Sequence, residues 1–212
     1  MFGNCQSILY TIFIIWYNKN KYNLMNKQLT AAFPSLIVSY DLSDLDLDLV
    51  YKNINNIRRE PNYLVDGSCS SYGHDFSILY NENLSFVKDQ IDKCIFDYVN
   101  TCGLKSLEIT GSWYTVMNRG CCVTQHRHEG SVLSGVLYVD VDEDSVPLMF
   151  LSPLMPYKMN DLYEKFDNPY SCSGMKFKPI KGGLILFPSW LEHKSDQEQG
   201  TRCIISFNTF YH

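Results

Sequence analysis

Three of the five histidines are spaced so that they could share one metal ion. His126 and His128 lie two residues apart in QHRHEGSVLSGVLYVD (Gln125–Asp140), and His193 closes GGLILFPSWLEH (Gly182–His193). Side chains at i and i+2 of an extended chain point to the same side, so His126 and His128 can converge. A third imidazole from a distant strand completes a facial three-point site with positions left open. Arg202, nine residues beyond His193, opens the apolar run RCIISFN, whose alternate members Ile204, Ser206 and Asn208 share its face. A lone guanidinium at the head of a buried strand is costly unless it meets an anion. That anion is either a protein carboxylate, such as Glu192 or a nearby Asp, or a ligand carboxylate held bidentately.

An HxH pair in isolation is more often a surface or hydrogen-bonded feature than a ligand set, so its context decides. Gly120, six residues before His126, offers a turn that brings backbone close to a site. Ser131 and Ser134 lead into the apolar strand Gly135–Val141, which places the pair at a strand mouth. Gly182 and Gly183 turn into LILFP, Pro188 stops that strand, and His193 falls just beyond it.

The elements that must carry these residues are legible in outline. Leu36–Tyr40 reads as a short opening strand. Ser43 or Asp44 can cap a helix in which Leu47, Val50, Ile54 and Ile57 recur at helical spacing, ending before Pro61. A polar loop runs from Asp66 to Gly73. Asn83–Asn100 reads as a second helix with Leu84, Val87, Ile91, Ile95 and Tyr98 on one stripe, stopped by Gly103. From Leu107 the pattern turns to β: Leu107–Asn118, Val132–Val141, Pro147–Leu151, Met175–Ile180, Gly183–Phe187 and Arg202–Phe210. Strands in sequence without helical pattern between them predict an antiparallel sandwich or barrel, here buttressed by N-terminal helices.

At 212 residues the chain suits one domain with a sizeable core. A net charge of −5 without a basic cluster argues against sequence-independent nucleic-acid binding. The eight cysteines form no CxxC pair, so a zinc knuckle is disfavoured and a reduced, cytoplasmic protein is expected. Ile8–Tyr17 is a continuous apolar run, shorter than the ~20 residues a membrane span needs. No membrane span is therefore expected. Met25 reads as a plausible native start, with residues 1–24 an extension outside a domain of residues 25–212. Trp113, Tyr114 and Trp190 read as core or pocket-wall aromatics, and Asp44, Asp46 and Asp48 as a solvated helix start. His74 reads as a surface residue, and Tyr157–Tyr170 as a lid loop.

Taken together, Trp113…Gly120…His126-Arg-His128, SGVLYV (Ser134–Val139), GGLILFPSWLEH and RCIISFN (Arg202–Asn208) resemble the iron- and 2-oxoglutarate-dependent dioxygenases. Within them they are similar to a poorly characterised family with the pattern H-x-H…SGvyYv…FPswl-H…RisisfN. The resemblance implies a double-stranded β-helix, the cupin-like jelly roll, with Fe(II), 2-oxoglutarate as co-substrate and O2. It implies metal ligation by His126 and His193, with His128 where most of the superfamily has the carboxylate of an HxD motif. Arg202 would grip the distal carboxylate of 2-oxoglutarate and Tyr138 would hydrogen-bond it, with Ser206 and Asn208 lining the pocket. The implied activity is hydroxylation of a substrate the sequence does not identify, with release of succinate and CO2; a homodimer is possible. His128 in place of a carboxylate departs from the pattern: it is a third ligand, or it orients His126, or Glu129 turns in. Two rival readings of the same residues are a three-His dioxygenase that does not use 2-oxoglutarate, and a non-enzymatic cupin-like protein that binds a metal or small ligand.

Overall fold

Alternation along three strands divides the interior into two cores. The computed structural model describes residues 35–62, 67–154 and 172–212, and Ser35–His212 form one compact unit. The apolar run Ile8–Tyr17, the start expected at Met25 and the lid expected at Tyr157–Tyr170 lie outside the described residues. The elements, in chain order, are β1 (Val38–Asp41), α1 (Leu47–Asn55), β2 (Glu60–Pro61), β3 (Cys69–Ser70) and α2 (Ser85–Cys102). There follow β4 (Leu107–Met117), β5 (Leu133–Val141), β6 (Leu148–Leu151), β7 (Gly174–Phe177), β8 (Gly183–Pro188), β9 (His193–Ser195) and β10 (Arg202–Tyr211).

One sheet runs in the order β1-β8-β5-β10-β4-β3-β2 and the other β7-β6-β9, with every ladder antiparallel. Leu137 and Val139 of β5, Leu184 and Leu186 of β8, and Cys203, Ile205 and Phe207 of β10 face one way. They pack with Val50 and Ile54 of α1 and Val87, Ile91 and Ile95 of α2. The alternate residues, Val136, Tyr138, Ile185, Phe187 and Ile204, meet Leu148, Phe150 and Phe177 of the small sheet. The fold is the helix-braced jelly roll that the motifs implied.

Local chemistry sets the boundaries. The cap of α1 is Asp46, whose carboxylate accepts from the Leu49 amide at 2.9 Å, not Ser43 or Asp44. A carboxylate placed three residues ahead reaches an amide that would otherwise lack a partner. Ser43 instead donates its own amide to Asp41. Helix α2 buries the expected stripe and ends at Gly103, whose φ of 66° only glycine adopts without strain. Gly135 answers a different need, since a Cβ there would lie 2.2 Å from the Phe207 ring. The stretch read as a polar loop contains β3, which pairs Cys69 and Ser70 with Val116 and Thr115 of β4. Two residues are too few to show an alternation. Cys94 and Cys203 are buried and unbridged, as small apolar side chains.

Candidate metal centre

The three histidines are brought together by a break in regular structure. His126 and His128 precede β5, separated from it by a turn at Gly130 (φ 76°). His193 is the first residue of β9, where the sequence placed it just past a strand. An isolated antiparallel bridge joins the two segments: the His126 amide donates to the His193 carbonyl at 3.1 Å, and the His193 amide returns 2.9 Å to His126. The His128 amide donates to Ser189 O at 2.9 Å, which holds the pair against the β8–β9 turn. One potential ligand atom from each ring lies within 4.8 Å of the others, and the Nε2 atoms of His128 and His193 are 3.3 Å apart.

Tautomers follow from the backbone. His126 Nδ1 lies 2.8 Å from Thr124 O, and His193 Nδ1 lies 3.0 Å from Leu191 O. A carbonyl only accepts, so both Nδ1 atoms carry the proton and both Nε2 atoms present a lone pair. His128 is held from the other side: the Asn208 carboxamide hydrogen-bonds its ring, and Asn208 Oδ1 accepts from Ser134 Oγ at 2.8 Å. Ser134 in turn shares a 2.7 Å bond with Ser189. Burial and the neighbouring His126 push His128 down to about 4 and His193 to about 3, so both rings stay neutral near pH 7.

This donor set fits a first-row dication. Two nitrogens ~2.1 Å from one ion sit about 3.0–3.4 Å apart at octahedral or tetrahedral angles, which the His128–His193 separation matches. Glu129 does not turn in; it pairs at the surface with Arg127 at 2.8 Å. One flank of the triad is aromatic, with Trp113 stacked on His128, Phe76 stacked on Trp113 and Tyr72 edge-on to both. Phe150 and Phe187 close the inner side against His193. Trp113 is thus a wall of the site, Tyr114 belongs to the helix-side core, and Trp190 is half exposed.

The far end of the site holds a surprise. Arg202 is 3% exposed and meets a protein carboxylate, but the partner is Glu198, at 3.1 Å from Nε to Oε2. Glu192, the expected partner, instead accepts from Gln125 at the surface. Arg202 also reaches Met117 Sδ (3.4 Å), Val146 O (2.8 Å) and Ser195 Oγ (3.3 Å). Of its five N–H donors, one on each terminal nitrogen remains beyond these bonds to described residues. Tyr138 lies in the inter-sheet core near both charges; burial and Glu198 raise its phenol to about 12 against the opposing pull of Arg202, so it stays protonated. Ser206 sits opposite Trp113 in the β10–β4 register. Glu198 was missed because it lies in a loop, where spacing to Arg202 carries no periodic signal. The only sequence-level sign was the need of a buried arginine for some anion.

Residues 111–208 match the model of a family described as "Putative 2OG-Fe(II) oxygenase". The matched span is just under half of the chain. The whole fold is similar to solved structures at low identity. A prolyl-4-hydroxylase of Pseudomonas putida is 13% identical with a TM-score of 0.58, covering 84% of this chain and 94% of its own. HygX of Streptomyces hygroscopicus, solved with nickel, 2-oxoglutarate and hygromycin B, is 8% identical at a TM-score of 0.57, over 84% and 83%. A Trichoplax adhaerens prolyl hydroxylase, in complex with a hypoxia inducible factor peptide fragment, is 14% identical at 0.57, over 82% and 83%. No curated protein matches. At such identities the likeness is one of fold, the jelly roll of the 2OG oxygenases. Among the described residues, no helix is long and apolar enough to cross a membrane.

Proposed function

We propose that the protein is a non-haem iron, 2-oxoglutarate-dependent dioxygenase that hydroxylates a substrate. The observation that carries this reading is the convergence of His126, His128 and His193, with two Nε2 lone pairs fixed by backbone carbonyls. When bound, the iron supplies oxygen activation coupled to decarboxylation of 2-oxoglutarate to succinate and CO2. HygX, solved with nickel and 2-oxoglutarate, lends the same ligand classes to this fold.

The chain's own residues position and shield. The Thr124 and Leu191 carbonyls hold His126 and His193 in the metal-binding tautomer, and Asn208 steadies His128. Arg202 offers its two remaining N–H groups to the distal carboxylate of 2-oxoglutarate, and the protonated Tyr138 adds an O–H donor. Ser206 lies between these ends on the same face of β10. Phe150, Phe187 and Trp113 exclude water from the imidazoles. The free cysteines among the described residues suit a reducing compartment such as the cytoplasm.

The test is stoichiometric. Carbon dioxide released from carboxyl-labelled 2-oxoglutarate should require both Fe(II) and O2, and should vanish in His126→Ala. Oxygen consumption that is indifferent to 2-oxoglutarate would instead favour a three-His dioxygenase of another kind. No oxygen consumption at all would favour a binding protein.

A further inference from the structure

A carboxylate and a guanidinium are buried together at the end of the site opposite His128. Glu198 is 0% exposed and Arg202 3%, and their contact is 3.1 Å. Glu198 Oε1 accepts from the Val146 amide (3.1 Å) and the Gly200 amide (3.3 Å), while Oε2 takes no hydrogen bond from the described residues. Burying a carboxylate is costly unless the surroundings replace its lost hydration, so its presence calls for an electrostatic reason. The pair belongs to the same interior as the triad. Arg202 donates to Ser195 Oγ at 3.3 Å, and Ser195 lies two residues from His193 on β9, both buried, a Cα spacing of ~6.6 Å.

Charge counting then links the two ends. Three neutral imidazoles leave a dication uncompensated, where an HxD carboxylate would have removed one unit. A dianionic keto acid balances the dication, and Arg202 would be left as one net positive charge in a closed interior. Glu198 removes that unit. We propose that Glu198 carries the negative charge that His128 withholds from the metal ligand set, moved from the metal end of the site to the arginine end. This rests on the 2-oxoglutarate reading above. The consequence is a weaker Coulombic grip by Arg202: the distal carboxylate meets a guanidinium whose charge is already matched and is held by hydrogen bonds.

The test is calorimetric binding to the Ni(II)-loaded full chain, which reads affinity without turnover. The probes are 2-oxoglutarate and 2-oxopentanoate, in which a methyl group replaces the distal carboxylate. Wild-type protein should prefer 2-oxoglutarate by less than about 30-fold, the range of a few net hydrogen bonds; a larger preference overturns the proposal without any variant. Glu198→Gln should bind 2-oxoglutarate at least about 5-fold more tightly than wild type, as expected for one unit charge removed nearby. His128→Asp should bind it more weakly, and the double variant should return to within about 3-fold of wild type. A purely structural Glu198 gives the opposite sign: Glu198→Gln weakens binding, and the double variant is worse than His128→Asp alone. Either result overturns the proposal while leaving 2-oxoglutarate as co-substrate. No binding by nickel-replete wild-type protein overturns the co-substrate reading, and this inference with it.

Discussion

The two faces of the β8-β5-β10 sheet differ in what they ask of their residues. Towards the helices, Leu137, Leu184, Leu186, Ile205 and Phe207 are all fully buried and interchangeable in kind, each contributing area and shape. Towards the small sheet, apolar residues share the space with a line of polar ones: Asn208 and Ser206 on β10, Ser134 on β5 and Arg202 at the far end. The first face holds the fold; the second spends burial on groups that need specific partners. Bulges mark that division. The β10–β5 register skips Val139 and the β10–β4 register skips Thr110, so the ladder yields close to Arg202 and to Asn208.

The contrast is sharpest under substitution. His193→Ala, on the site side, should lower Ni(II) or Fe(II) affinity by at least about 100-fold, because one of three donors is lost. Its metal-free melting temperature should stay near that of wild type, and the rise on adding metal should disappear. Phe207→Ala, on the helix side, should cost about 3–5 kcal/mol in urea unfolding. Metal affinity of its folded fraction should hold within a few-fold. If the two variants behaved alike, the separation of faces would be wrong.

Between about pH 7 and 5, acid should act chiefly on the site side. His128 and His193 have folded values of about 4 and about 3, below the unfolded value of about 6.5. The unfolded chain therefore binds protons first as pH falls. Metal-free stability should be level above pH ~6.5 and drop below it, by up to about 2 kcal/mol per imidazole at pH 5. His193→Ala should flatten part of that drop. The smallest effect belongs to Asn208→Ala, which removes the bond to His128 and should weaken metal binding about 10-fold with little loss of fold.

Legibility in the sequence followed the same division. Periodicity exposed the helix-side stripes, and α2 begins and ends within two residues of the expected bounds. The six β runs from Leu107 onward all form strands, because branched and aromatic alternation is a strong signal there. The histidines were legible as residue types at a plausible spacing. How they meet was not: the isolated His126–His193 bridge is a long-range pairing of two short segments, and neither shows an alternation of its own. Glu198 was hidden for a similar reason. Its partner is close in sequence, but the loop that turns it inward leaves no pattern, and Glu192 was an equally good candidate by composition. Asp46 displaced Ser43 and Asp44 as the cap because a run of cap-competent residues fixes the helix start only to within a turn.

The central claim is that three imidazoles hold an iron that chelates 2-oxoglutarate. Its most direct test is an anaerobic titration of Fe(II)-loaded protein with 2-oxoglutarate, following the visible charge-transfer absorption of a chelated keto acid. The account predicts a saturable band in wild-type protein that is weakened in both His128→Ala and Arg202→Ala. Absence of the band in wild-type protein of confirmed iron occupancy would contradict it.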